Sequence, residues 1–157
     1  MKGNKELIDE LNGRLAEELA AINQYFVHSE LCESYGYDVL QAAIKARSIT
    51  EMKHAEILIE RILFLGAMPI VTKLGPVSIG KKVEEIHQKD RVAEEVAVKK
   101  YNATIQLALE VGDNGTRTLL EEILKDEENH LDWLEVQQDQ IEQIGIQGYL
   151  AEQIDEG

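Results

Sequence analysis

Two short strings in this chain hold the residues best suited to chemistry. Glu51-Met52-Lys53-His54 and Glu127-Glu128-Asn129-His130 both read Glu-x-x-His. On a helix, residues three apart share a face, so a carboxylate and an imidazole at this spacing can reach one metal ion. A third match, Glu84-Glu85-Ile86-His87, reads as a surface pair with His87 exposed. Phase separates the first two from it. Glu51 is seven residues from both Ile44 and Leu58, and His54 is four before Leu58. Glu127 is seven from both Leu120 and Leu134, and His130 is seven after Ile123. These side chains follow the apolar stripe into the core, where a carboxylate is costly unless paired or metal-bound.

Two further glutamates share that phase. Glu18 is seven after Leu11 and four before Ile22, and Glu94 is eleven after Val83 and three before Ala97. The halves of the chain match: 33 residues separate Glu18 from Glu51 and Glu94 from Glu127. Each group of the first half returns 76 residues later, as Glu18/Glu94, Glu51/Glu127, His54/His130 and Tyr25/Tyr101. Four carboxylates and two neutral imidazoles balance the charge of two divalent cations. An oxygen-rich set with two nitrogens suits iron or manganese, with zinc as a competitor.

Four long helical patterns must position these groups, over 4–35, 38–65, 82–111 and 116–144, with a short tail helix over 147–153. Asp38 and Thr116 read as N-caps, and Gly36 and Gly66 as stops. Tight glycine turns join helices one to two and three to four, which makes each pair antiparallel. The connection over 66–80 holds both prolines and, at ~3.3 Å per residue, can travel the length of a neighbouring helix. The expected architecture is all-α: one four-helix bundle over 4–144 with a long crossover between helices two and three, in a single domain spanning 1–157. A Glu from each of two helices plus Glu-x-x-His from each of the other two is the donor set of di-metal carboxylate bundles.

Composition narrows the partners. A net charge of −14 argues against nucleic acid and acidic membrane surfaces. The single Cys32 excludes an internal disulfide framework and a cysteine zinc site. The first residues hold no apolar signal core, and the longest apolar run, 62–71, is too short to span a bilayer. A cytoplasmic protein is expected. Of the remaining residues, Cys32 reads as a buried small side chain, Trp133 as packing and His28 as a polar surface histidine.

Longer strings resemble the bacterioferritin family across nearly the whole chain. They include Ala21-Ile22-Asn23-Gln24-Tyr25-Phe26, Glu51-Met52-Lys53-His54-Ala55 and His130-Leu131-Asp132-Trp133-Leu134-Glu135. The resemblance implies a ferritin-like fold, assembly into a hollow homo-oligomeric shell of 24 subunits, and iron storage. It implies a ferroxidase, an Fe(II):oxygen oxidoreductase that uses O2 or H2O2 at an intrasubunit di-iron site. Glu51 and Glu127 would bridge the irons. Glu18 with His54, and Glu94 with His130, would be terminal ligands, and Tyr25 would stand beside them. Asp90, one turn before Glu94, would either steady a ligand histidine or remain an exposed carboxylate. Met52 would ligate a haem b shared between two subunits, although on spacing alone it reads as a subunit contact. A small ferredoxin is the implied reductant for iron release. The stretch Ala46-Arg47-Ser48-Ile49-Thr50 lacks the cavity-side ligand pair of several members, and Leu58 stands where some have tyrosine. A gated pore through a mobile His130 is then expected in place of an electron relay. Competing classes are a di-iron oxidase or peroxidase, a DNA-protecting mini-ferritin and a metal-free structural bundle.

Overall fold

The computed structural model describes residues 1–155. Among them every regular element is a helix: α1 (Lys5–Ser34), α2 (Asp38–Phe64), α3 (Val83–Glu110) and α4 (Asn114–Ala151). The sequence permits such lengths because both prolines fall between α2 and α3. α1 starts where the Asn4 side chain accepts from the Leu7 N–H at 3.0 Å. Two capping expectations are corrected. Tyr37, with no side-chain cap bond, precedes α2, and Asp38 is already inside the helix. α4 is capped by Asp113, which accepts from the Thr116 N–H at 3.0 Å, so the helix begins two residues before Thr116. A carboxylate satisfies the free N–H groups of a first turn at least as well as a hydroxyl, and Asp113 stood close enough to take that place.

The break expected after residue 144 is present within α4. Gly145 (φ 77°, ψ 158°) interrupts the helical backbone, and helical residues continue beyond it to Ala151.

Contacts between helix ends fix the neighbours. The Gly3 N–H donates to the Leu65 carbonyl at 2.9 Å, which sets the start of α1 beside the end of α2. Arg61 near the end of α2 donates to Thr116 at 2.8 Å and Asp113 at 2.9 Å, at the start of α4. The Val39 N–H donates to the Gln153 carbonyl at 3.0 Å, so the start of α2 meets the far end of the chain. Between α2 and α3 the chain runs alongside α1. Ile70 N–H reaches Asn12, Gly75 N–H reaches the Ala16 carbonyl, Ser78 N–H reaches Gln24, and Gly80 N–H reaches His28. Gly80 packs so closely that an added Cβ would lie 2.6 Å from the Ile86 nitrogen.

The core has two apolar clusters. One holds Leu7, Leu11, Leu15, Leu58, Ile62, Leu120 and Ile123. The other holds Cys32, Leu40, Ile44, Val83, Ile86 and Tyr149. Each fully buried Leu or Ile contributes roughly 1.5–3 kcal/mol relative to exposure. Along every helix the polar residues of interest fall between the two clusters, so the apolar ends clamp a charged middle layer.

Candidate metal centre

That middle layer contains Glu18 from α1, Glu51 and His54 from α2, Glu94 from α3, and Glu127 and His130 from α4. The four glutamates are at most 3% exposed, His54 is 2% and His130 is 8%. Donor atoms of Glu18, Glu51, His54 and Glu127 all lie within 4.8 Å of one another. His130 Nδ1 is 2.8 Å from Glu94 Oε1. All four carboxylates line one cavity of about 250 Å³, together with Tyr25 and Tyr101. Pro76 and Ser78 of the α2–α3 connection line it too.

The two tyrosines fill matching roles. Tyr25 donates its hydroxyl to Glu94, and Tyr101 donates to Glu18 at 2.6 Å. Each ties one carboxylate to a helix across the bundle. His54 has opposite duties for its two nitrogens. Nδ1 faces the cluster, 3.1 Å from Glu127 and 3.4 Å from Glu51, while Nε2 meets Asp126 at 2.8 Å. His130 stacks on Trp133 (ring centroids 6.0 Å apart).

Burial and like charge act together here. Burial raises the Glu18 carboxyl above its ordinary range, and the Glu127 charge adds to it. Burial and then Glu18 push Glu51 up to about 7. Burial and then Glu127 push Glu94 well up. Burial works against a charged His54, but its bonds to Glu127, Glu18 and Glu51 outweigh that and hold it cationic. For His130 burial wins over the Glu94 bond and lowers its pKa. The centre therefore resists holding four bare carboxylates.

The donor set fits divalent metal. Glu18 Oε2, Glu51 Oε1 and Glu94 Oε2 are buried without an aligned hydrogen-bond donor. Buried acceptors of this kind are costly unless something fills them, and hard dications prefer anionic oxygen.

Several expectations are corrected. Asp90 does not steady a histidine of the centre and is not exposed. It accepts from Gln24 at 2.9 Å and pairs with His28 Nδ1 at 2.8 Å. His28 is fully buried, not a surface residue, because its Nε2 takes the Gly80 N–H of the connecting segment. His87 is also fully buried, and its Nε2 meets the Tyr149 hydroxyl at 3.0 Å. Both histidines belong to contacts far apart in sequence, which helix phase alone does not reveal. Sequence reading missed Arg47, which meets Glu51 on its own helix and Glu94 and Glu127 on two others, and Asp126, which meets His54 of α2. Met52 lies outside the cluster and is 47% exposed. The described residues include no helix long and apolar enough to cross a membrane.

Comparison with known proteins agrees with this geometry. A ferritin-like domain model matches residues 8–144. A bacterioferritin of Streptomyces coelicolor is 40% identical over 99% of this chain and 93% of its own length. Those of Mycolicibacterium paratuberculosis and Brucella melitensis are 37% and 38% identical, over 97% and 95% of this chain and 96% and 92% of theirs. A bundle with this buried donor set, related over almost its full length to such proteins, belongs to the bacterioferritin family of ferritin-like proteins.

Proposed function

We propose that the chain stores and detoxifies iron, and that its buried centre is the ferroxidase that oxidises Fe(II) on entry. The observation that carries the reading is the convergence of four buried carboxylates on one cavity, with His54 Nδ1 3.1 Å from Glu127 and His130 Nδ1 2.8 Å from Glu94. In this reading two Fe(II) ions are the substrate. Glu51 and Glu127 are shared between them, Glu18 with His54 holds one, and Glu94 with His130 holds the other. Anionic oxygen favours Fe(III) over Fe(II), so the ligand set itself promotes electron loss to O2 or H2O2. Tyr25 and Tyr101 fix the orientation of Glu94 and Glu18, and Asp126 fixes His54 with Nδ1 toward the metals. His130, the most exposed of the six, is the one best placed to move as iron passes inward.

The contacts between helix ends and the path of the α2–α3 segment along α1 support a bundle with one long crossover. The residues after Gly145 act as a short fifth helix, and the described residues form one domain. Storage requires a cavity larger than one chain contains, hence a shell of about 24 subunits, as the family resemblance implies. Met52 suits a haem b axial ligand: its thioether is accessible, and a twofold copy would supply the second. Cytoplasmic location and a ferredoxin reductant complete the reading.

The test is aerobic Fe(II) loading followed by size-exclusion chromatography with iron and protein detected together. Iron far above the capacity of the centre, co-eluting with a very large particle, is expected. Iron that stops at about two per chain on a small species would reject storage and leave a di-iron oxidase. For haem, reconstitution should give one per two chains in the wild type and none in Met52→Leu, read from the absorption spectrum.

A further inference from the structure

Arg47 has no part in the reading above, yet it reaches into the centre. It lies one turn before Glu51 on α2, and its side chain is 10% exposed. Nη2 is 2.6 Å from Glu51 Oε1, 3.1 Å from Glu127 Oε2 and 3.9 Å from Glu94 Oε1. One cation thus meets three of the four carboxylates, including both that would be shared by two metal ions.

Three features make this contact replaceable. The first is alignment. Although Nη2 is close to the carboxylates, neither it nor Nε forms a directed hydrogen bond. Only Nη1 does, to the Asp126 carbonyl at 3.1 Å. Guanidinium recognition is strong when two N–H groups lie parallel to a carboxylate, and that fork is missing here. The second is space. If Glu51 and Glu127 are shared by two ions, each gives one oxygen to each ion, and one of the pair would take Glu51 Oε1 and Glu127 Oε2, the oxygens that Nη2 now faces. The third is charge. Four carboxylates neutralise two dications, so a guanidinium left in place would be a surplus buried cation beside the ions.

We infer that Arg47 is a resident counter-ion of the metal-free centre, which competes with metal and must swing outward before the pair of ions can bind. The inference rests on the di-metal reading. Asp126 offers the exit: its carbonyl already holds Nη1, and its carboxylate is 49% exposed. The withdrawn guanidinium can then pair at the rim with an anion that is partly hydrated.

The test is anaerobic titration of Co(II), whose absorption reports its ligands, into the chelator-treated full chain at about pH 8, where protons compete less for the ligands. Wild type, R47Q and R47K are compared, and each is melted with and without metal. R47Q should bind Co(II) about tenfold to a hundredfold more tightly, the scale of losing charge-assisted contacts to a competing cation. Its metal-free form should melt below the wild type, and Co(II) should raise its melting temperature by more. R47K should fall between, because an ammonium is a point charge that spans fewer carboxylates. Equal or weaker Co(II) binding by R47Q would overturn the inference. If R47Q does not fold without metal, R47K decides by the same criterion: tighter binding than wild type supports it, and equal or weaker binding overturns it. Failure of all three folded proteins to bind Co(II) would instead reject the di-metal reading, and the competition with it.

Discussion

Glu51 shows how one buried residue couples metal, proton and stability. Burial and the neighbouring Glu18 lift its carboxyl from 4.5 to about 7. A folded-state pKa above the unfolded value means that the folded chain binds the proton more tightly. The stabilisation is complete below 4.5 and is lost as pH rises through 7. Glu18 and Glu94 shift in the same direction. Metal-free protein should therefore melt at progressively lower temperature from about pH 4.5 to 7, and Glu51→Gln should flatten part of that fall. Protein loaded with Co(II) or Zn(II) should lack the decline, because the metal takes the place of the proton. A metal-free melting curve that rises over this interval would count against the raised carboxyl. Asp126 acts differently, through His54 Nε2. Asp126→Ala frees the imidazole to rotate and should weaken Co(II) binding about tenfold or more in a titration, with helix content unchanged. The burial of the six candidate donors was legible in the sequence because each is a polar residue in apolar phase, and because the pattern occurs twice. The contacts of Arg47 and Asp126 were not. Arg47 shares the phase of Leu40 and His54 and pairs with Glu51 one turn away, but spacing does not reveal that it also reaches Glu94 and Glu127, or that Asp126 meets His54.

At the scale of elements, the four helices could be read from periodicity and the proline-free stretches, while their ends depended on local competition between caps. The histidine chemistry holding the elements together was hidden, since it joins pieces that sequence spacing does not relate. His87 of α3 and Tyr149, beyond the break in α4, form such a clamp. Tyr149 donates to Gln137 at 2.6 Å and so accepts from His87, which places the imidazole proton on Nε2. Nδ1 is buried without a partner, so a second proton there would have no acceptor. Burial accordingly lowers the His87 pKa from 6.5 to about 4. A depressed pKa gives stability that is present above 6.5 and is lost as pH falls toward 4. The difference between wild type and His87→Phe in chemical denaturation should shrink on acidification through that window, by at most about 3 kcal/mol. A constant difference would remove the neutral-histidine account. Gly145 makes the clamp possible, because its backbone (φ 77°, ψ 158°) lies in a region almost reserved for glycine. Gly145→Ala should cost about 1–3 kcal/mol in the same assay although nothing crowds its Cβ. Gly13→Ala, in open space within α1, should instead stabilise by up to about 1 kcal/mol.

The whole molecule carries −14 and yet exposes large apolar side chains. On α2, Ile49, Met52 and Leu63 are 43%, 47% and 51% exposed. At about 100° per residue they fall on one stripe, which Ile59 shares. A soluble monomer rarely leaves such a stripe in water. Covering it with another copy removes that cost, and like charge between copies opposes the association. Salt screens the repulsion without touching the apolar contact, so assembly should strengthen as ionic strength rises. Placing a charge on the stripe tests both statements. Ile49→Asp should keep its helix content and its Co(II) affinity per chain, since Ile49 is exposed and donates nothing to the centre. Its particle mass, measured by light scattering after size exclusion, should drop to small species, most completely at low salt. Iron uptake should then stop at about two per chain, because the centre survives but no enclosed cavity remains. A particle of wild-type mass would mean that this face of α2 is not an interface. Small species that still mineralise iron far beyond the centre would separate storage from assembly and break the link on which the proposed function depends.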